Sequence, residues 1–139
     1  MKIITEYLPV ATKGRTDIID ITAHASDLLS KSGLQKGTVT FFISGSTAGI
    51  TTVEYEPGLL KDLPEAFEKI APMGKRYHHD ATWGDGNGYS HVRASLLGGS
   101  LTVPFTAGRL MLGTWQQVIL IDFDNRSRQR EIIMQIMGE

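Results

Sequence analysis

The sequence lacks two features that would each point to a particular class of protein. It has no cysteine, which excludes disulfide bonds, thiolate nucleophiles and cysteine-ligated zinc sites. It also has no excess of one charge, because 14 Lys and Arg oppose 15 Asp and Glu for a net charge of −1. We therefore expect neither nucleic acid nor an anionic membrane surface as a partner.

Long apolar runs are missing as well. None approaches the ~20 residues that a membrane-spanning helix needs. Met1 and Lys2 lead directly into strand-like sequence and not into an apolar secretion signal. The expected location of the protein is therefore the cytoplasm.

The sequence predicts one α+β domain, residues 1–139, because no repeat, low-complexity tract or linker interrupts it. Hydrophobic periodicity predicts helices at 23–33, 56–72 and 90–98, and strands at 2–10, 16–22, 37–44, 100–105, 108–113, 116–124 and 128–137. The short turns between the last four strands favour antiparallel hairpins. We expect a β-sandwich of two largely antiparallel sheets with two or three flanking helices.

Residues 77–91, YHHDATWGDGNGYSH, contain three of the four histidines of the chain. His79, Asp85 and His91 are spaced six and six residues apart, in a segment that is too rich in glycine to be predicted as a helix. Glycine freedom would let the backbone fold back so that the three side chains converge. Imidazole and carboxylate groups suit zinc or another divalent metal, and His78 and Asp80 are candidate partners of the ligands.

A simpler interpretation of the same segment stays open. The Asp-Gly-Asn-Gly string is a strong turn signal, and Asp or Asn in a turn often bonds only its own backbone. The adjacent histidines would point opposite ways in an extended segment, so only one of them would face a site. A loop of this length is nevertheless unusual in a small domain and tends to be either functional or disordered, and Tyr77, Trp83 and Tyr89 argue against disorder.

Two further polar stretches are candidates for binding a phosphorylated ligand. SGSTAGITTVEYEPG, residues 44–58, follows an apolar strand with hydroxyls and glycines that could cradle a phosphate, and Glu54 could face a cation. GRLMLGTWQQ, residues 108–117, offers Arg109 as a bidentate phosphate ligand. The alternatives are a hydroxyl-rich strand end with a helix-initiating Glu-Pro pair, and a plain hairpin with a core tryptophan.

Together these stretches resemble the YjbQ-like proteins, the uncharacterised family UPF0047, some of which are labelled secondary thiamine-phosphate synthases. The resemblance runs nearly from end to end. The segments that carry it are STAGITTVE (46–54), YHHD (77–80), GNGYSHVRASLLGGSLTVPF from residue 86 to 105, the string LGTWQ (112–116) and the arginine-rich last strand.

The resemblance implies two β-sheets with flanking helices, assembled as a homotrimer. It also implies a weak thiamine-phosphate synthase activity, which joins a pyrimidine pyrophosphate to a thiazole phosphate. A divalent metal would be bound by a group carried over as Glu54, His79, Asp85 and His91, with Arg109 and Gln116 nearby. The chain departs from many relatives at Gly45, where they have His, and at Val53, where they have Asn.

Three functions of different kinds are consistent with the sequence. The first is a metal-assisted enzyme that acts on a phosphorylated small molecule, either a thiamine-phosphate synthase or a hydrolase. Its ligands and catalytic groups would be His79, His91, Asp85 and Glu54, and its phosphate contacts Ser46, Thr47, Arg109 and Gln116. The second is a non-catalytic homotrimer that binds a small molecule or metal. The third is an interaction protein with Trp83 and Tyr89 as interface anchors.

Overall fold

The computed structural model describes residues 1–139, which form eight strands and four helices. The strands are β1 (Lys2–Thr12), β2 (Asp17–Asp20), β3 (Lys36–Ile43), β4 (Ala48–Val53), β5 (Ser100–Thr106), β6 (Arg109–Leu110), β7 (Gln117–Asp122) and β8 (Arg128–Gly138). The helices are α1 (Thr22–Ser32), α2 (Leu59–Ile70), α3 (His78–Trp83) and α4 (Gly88–Leu97). None of these helices combines the length and the apolar character that crossing a bilayer requires.

Five strands form an antiparallel sheet in the order β1-β8-β3-β5-β6. Its central strands alternate between inward apolar and outward polar residues, as expected for a sheet with one covered face. Phe41 of β3 pairs with Met134 of β8, and both side chains are buried. The inward side chains of this sheet build one half of the main core.

The second sheet is antiparallel as well and has the order β2-β7-β4. Its central strand carries the run Val118–Ile121, which is fully buried. Such a continuous apolar run is typical of a strand that is covered on both faces. One face packs on the five-stranded sheet around an 18-residue core that also takes in Ala25 and Leu29 of α1.

The other face of the three-stranded sheet is covered by α2 and α4. Leu60, Leu63 and Phe67 lie at helical spacing on α2 and pack on this face, and the Phe67 ring meets Phe123 edge-on at 4.8 Å between centroids. The architecture therefore has three layers: the five-stranded sheet, the three-stranded sheet, and a helical layer. That helical layer carries the candidate site.

The predicted class, an α+β fold with two antiparallel sheets, is confirmed. Three details of the prediction are wrong. There are four helices and not two or three, because the six glycine-free residues His78–Trp83 form α3. Strand β4 was not expected. Of the predicted hairpins only β5–β6 exists: β7 is already paired on both edges by β2 and β4, so β8 must join the other sheet.

Candidate functional site

The site is built around the turn between α3 and α4. Helix α3 ends at Gly84, whose left-handed backbone lets its N–H bond the Asp80 carbonyl at 2.7 Å. The chain then reverses through Asp85 and Asn87 into α4, which packs against β4. The glycine content predicted an open loop here, but the segment forms two short helices joined by a tight turn. This arrangement fixes the side chains at the turn.

One histidine and two carboxylates converge at this turn. His79 Nδ1 lies 3.3 Å from Asp80 Oδ1 and 3.6 Å from Asp85 Oδ1. The candidate ligand atoms of the three residues all lie within 4.8 Å of one another. A borderline divalent cation such as zinc or manganese accepts this mixture of nitrogen and oxygen donors, so the group fits the metal that the resemblance implies.

His91 stands directly beside this group. Its ring lies 4.4 Å from the His79 ring, measured between centroids, with the two planes tilted by 38°. Because it belongs to α4 and His79 to α3, the packing of the two helices sets their separation. His78 does not contribute and instead lines a separate surface hollow with Arg76, Tyr77 and Ala81.

Asp80 is held in place by the start of α4. Its Oδ1 accepts the backbone N–H of Gly88 at 2.9 Å. A Cβ atom at position 88 would lie 2.6 Å from Tyr77 Cβ and 3.0 Å from Asp80 Oδ1. The first contact is closer than real Cβ atoms show and the second is tight, so glycine at this position is what allows α3 and α4 to approach.

Asp85 is tied to the sheet by two asparagines. Asn125 donates from Nδ2 to the Asp85 carbonyl at 2.9 Å. The Asn87 amide lies between two carboxylates: in one orientation it donates to Asp124 at 3.4 Å, and in the reverse orientation to both Asp85 oxygens at 3.0 and 3.2 Å. In either orientation Asn87 donates to one of these two carboxylates, so it lies between the candidate metal ligands and a buried network beneath them.

That network consists of two ion pairs between the sheets. Asp122 and Asp124, at the end of β7, are fully buried. Arg130 bonds Asp122 through Nε and Nη2 at 2.8 and 3.0 Å, and Arg128 bonds Asp124 through Nε at 2.8 Å. Burial acts to raise the pKa of Asp124, but hydrogen bonds from Arg128, the Asn125 N–H, Asn87 and Thr47 outweigh it, and the net pKa is lowered.

A second buried arginine fixes α4 from the other side. Arg93 donates to the Ala71 carbonyl at 2.9 Å, to Thr16 Oγ1 at 2.9 Å and to Glu68 Oε2 at 2.7 Å. Its guanidinium also lies 5.0 Å from the ring centroid of Tyr89. Tyr89 is thus buried inside the chain, and its expected role as an interface anchor is wrong. Trp83, by contrast, is 73% exposed.

A polar cleft opens next to His91. Its volume is about 250 Å³, and its walls include Gly45, Ser46, His91, Ser95, Gly98 and Gly99. Serine hydroxyls and uncovered glycine backbone suit an oxygen-rich ligand better than an apolar one. His91 therefore connects the candidate metal ligands with a space for a small polar molecule.

The structure separates the residues that the sequence singled out into two groups. His79, Asp85, His91 and Ser46 lie around the turn and its cleft. Thr47 is buried behind them: its hydroxyl donates to Asp124 at 3.1 Å and accepts from Arg130 at 2.6 Å. Asp80, expected only as a partner of the ligands, joins them directly.

The other three residues lie elsewhere in the chain. Glu54 follows the last residue of β4, whereas Ser46 and Thr47 precede the first, and Glu54 is not part of the His79 group. The next glutamate, Glu56, accepts the N–H groups of Gly58 and Leu59 and so begins α2. Arg109 and Gln116 line a different cleft of about 720 Å³ beside α1.

Sequence reasoning did not assign a role to Arg130 in the site. The available signal was the pair Arg128 and Arg130, two residues apart at the start of a strand whose next same-face residues, Ile132 and Met134, are core. Alternation places all four on the inward face. Inward-facing arginines require buried acids opposite them, which Asp122 supplies.

Known proteins of similar length resemble this chain in sequence and in architecture. The model of the UPF0047 YjbQ-like family matches residues 6–139. A UPF0047 protein of Methanothermobacter thermautotrophicus is 39% identical over 139 residues, covering 100% of this chain and 95% of the relative. A UPF0047 protein of Archaeoglobus fulgidus is 37% identical over 126 residues, covering 91% and 96% of the two chains.

Solved structures agree with the family match. A YbjQ-like protein of unknown function from Sulfolobus solfataricus P2 superimposes with a TM-score of 0.94 at 30% identity, covering 99% of both chains. A hypothetical protein from Aeropyrum pernix K1 gives a TM-score of 0.91 at 29% identity, covering 98% of this chain and 99% of that one. The chain therefore belongs to the UPF0047 YjbQ-like family.

Proposed function

We propose that the protein is a metal-dependent enzyme that acts on a phosphorylated small molecule bound beside His91. The observation that carries the proposal is the convergence of His79, Asp80 and Asp85 at the edge of a polar cleft. Two carboxylates facing one imidazole nitrogen repel each other unless a cation or proton lies between them. A bound divalent cation supplies charge neutralisation to a phosphate or pyrophosphate leaving group.

Each residue of the site would have a separate role in binding the cation or the substrate. His79, Asp80 and Asp85 would hold the cation, with the Asp80 carboxylate oriented by the Gly88 N–H and the Asp85 backbone held by Asn125. His91 reaches both the cluster and the cleft, so it is placed to act as a fourth ligand or to transfer a proton. Ser46 offers a hydroxyl to the ligand from the opposite wall.

Thiamine-phosphate synthesis is the specific reaction that we propose to test first. It uses a pyrophosphate leaving group and a second phosphorylated substrate. Both are oxygen-rich ligands of the kind that a cation beside a cleft lined by serine and glycine would bind. Arg109 and Gln116 belong to the other cleft within one chain, so they would contact this substrate only from a neighbouring subunit. Hydrolysis of a phosphate ester is the alternative reaction for the same groups.

The test is turnover by metal-loaded protein of two substrate sets: a pyrimidine pyrophosphate with a thiazole phosphate, and a generic aryl phosphate. We expect release of pyrophosphate or phosphate that stops on chelation and in His91→Ala. His24→Ala is the matched control, because His24 is exposed on α1. Ligand binding that persists with no turnover under any metal would instead assign the protein as a binding module.

We further propose that the working form is a homotrimer. Support comes from the outer face of the five-stranded sheet, where Tyr7 and Phe42 both pair with Ile133 and are 56% and 46% exposed. Ile3 and its partner Met137 form a second apolar row, 62% and 40% exposed. The pair Thr5 and Gln135 lies between these two rows, but exposed apolar side chains grouped on one sheet face are typical of a surface that associates.

A further inference from the structure

The ion pair with Asp122 occupies only some of the N–H donors of the Arg130 guanidinium. Its Nε and Nη2 are bonded to Asp122, and Nη2 also donates to Thr47. These contacts fix the plane of the guanidinium, whose side chain is 11% exposed. Nη1 takes part in none of them, so one edge of a positioned, permanently charged group keeps its donors free.

The free edge lies against the backbone of Gly45, a residue that lines the polar cleft. A Cβ atom at position 45 would lie 2.8 Å from Arg130 Nη1, so Nη1 lies directly against Gly45. Gly45 and Ser46 together form one wall of the cleft. Because glycine has no side chain, nothing at position 45 stands between the guanidinium and that wall.

The backbone of the same wall has unused donors as well. The N–H groups of Ser46 and Thr47 donate no hydrogen bond within the chain, since these two residues lie before the first ladder bond of β4. Unpaired N–H groups beside a guanidinium are the donors that bind phosphate oxygens in proteins.

We infer that Arg130 is the phosphate-binding residue of the cleft, with Nη1 and the Ser46 hydroxyl and N–H as donors. The inference rests on the proposed function and specifies the substrate class of the same site: a phosphomonoester or pyrophosphate whose oxygens face Gly45. It also gives a physical role to glycine at position 45, because a larger residue would cover Nη1.

Titration of inorganic phosphate and pyrophosphate into the full chain, by calorimetry and ³¹P NMR, tests the inference. We expect Gly45→Ala to weaken binding by about tenfold to a hundredfold, as for the loss of one charge-assisted hydrogen bond. The backbone at Gly45 is not left-handed, and the new methyl group would meet only the outer end of the Arg130 side chain, so we expect this variant to fold while its guanidinium shifts. Arg130→Lys, which removes the fork and keeps the charge, should weaken binding similarly.

Arg126→Gln is the matched control, because this neighbouring arginine is exposed and its side chain bonds nothing. Undiminished binding in Gly45→Ala, or binding that is lost in Arg109→Gln instead, overturns the inference and moves the anion to the other cleft. No binding of either anion by wild type overturns it too.

The same titrations separate this inference from the proposed function. They are run on protein stripped of metal and on protein loaded with zinc or manganese. Phosphate binding that depends on Arg130 in a protein that takes up no metal supports the inference and rejects the metal-dependent enzyme. Metal uptake and turnover without any effect of Gly45→Ala support the enzyme and reject the inference.

Discussion

At the scale of single residues, the candidate metal site depends on holding two carboxylates against one imidazole. Asp80 Oδ1 already accepts the Gly88 N–H, and Asp85 is bonded through its carbonyl by Asn125. The Asp80 carboxylate and the Asp85 backbone are therefore positioned before any cation binds. Such preorganisation lowers the free-energy cost of binding, because little side-chain freedom remains to be lost.

Asp80→Asn separates the charge of this residue from its structural contact. Asparagine keeps an oxygen that can accept the Gly88 N–H, so we expect thermal unfolding to change little. Removing one anionic ligand should lower metal affinity by about tenfold or more. Competition against a chromogenic chelator measures it, with His24→Ala as the unaffected control. Unchanged metal affinity in Asp80→Asn would show that this carboxylate is not a ligand.

The lowered pKa of Asp124 predicts how stability depends on pH. Because the carboxyl has a lower pKa in the folded chain than its unfolded value of about 3.9, it adds stability above that value. The contribution is lost as the pH falls below about 4 toward the folded pKa. Urea unfolding measured from about pH 2.5 to about pH 7, a range that spans the reference pKa of the carboxyl group, should show this loss of stability.

Asp124→Asn should remove this part of the pH dependence. At neutral pH the variant should unfold with a free energy lower by about 3 kcal/mol, since Arg128 loses its buried partner. Asp27→Asn is the control, because it breaks an exposed pair with Lys31 and should cost less than about 1 kcal/mol. Equal acid slopes in wild type and Asp124→Asn would contradict the assignment.

At the scale of elements, the site exists because α3 and α4 meet at a glycine. Gly88→Ala would push a methyl group against Tyr77 and Asp80. We expect a loss of about 1–3 kcal/mol in unfolding free energy, as for other overpacked positions, together with weaker metal binding. The measurements are urea unfolding and metal titration.

Gly74→Ala is the matched control for that substitution. Position 74 precedes α3, and a Cβ atom there meets nothing within 4 Å. The control should change stability by less than about 0.5 kcal/mol. If Gly88→Ala behaves like Gly74→Ala, the close approach of the two helices does not constrain the site.

Elements were predictable where one face of a segment is apolar. The predicted stripe Leu60, Leu63, Phe67 and Ile70 located α2, although Ile70 is exposed, and the run Val118–Ile121 located β7. Strand β4 was not predicted, because its residues Thr51–Val53 are only half buried and their sequence resembles a polar loop. Helix α3 was not predicted for a similar reason: it buries no residue, so its sequence contains no apolar stripe.

The site was predictable only in part for the same physical reason. The spacing of His79, Asp85 and His91 suggested convergence, and the turn brings these three side chains near one another. The inclusion of Asp80 follows from helical geometry, which could not be applied while the segment was taken as a loop. The placement of Glu54 depends on the direction of β4, and no local sequence pattern predicts that direction.

At the scale of the whole molecule, the proposed trimer would bury the apolar outer face of the five-stranded sheet. The double variant Tyr7→Lys, Phe42→Lys places two charges in the middle of that face. We expect it to lower the mass measured by light scattering to that of the 15.3 kDa chain while the far-UV circular dichroism stays unchanged.

Ile70→Lys is the control for the trimer, because Ile70 is 64% exposed at the end of α2 and far from that sheet face in the layer order. It should leave the mass unchanged. A wild-type protein that is monomeric across the micromolar range would contradict the trimer outright.

The central claim of this account is that His79, Asp80 and Asp85 bind a divalent cation. The most direct measurement is elemental analysis of untagged wild-type protein and of His79→Ala, each reconstituted with zinc or manganese and then desalted. We expect about one ion per chain in wild type and its loss in His79→Ala, with His24→Ala loaded as wild type. Wild-type protein that retains no ion after reconstitution would contradict it.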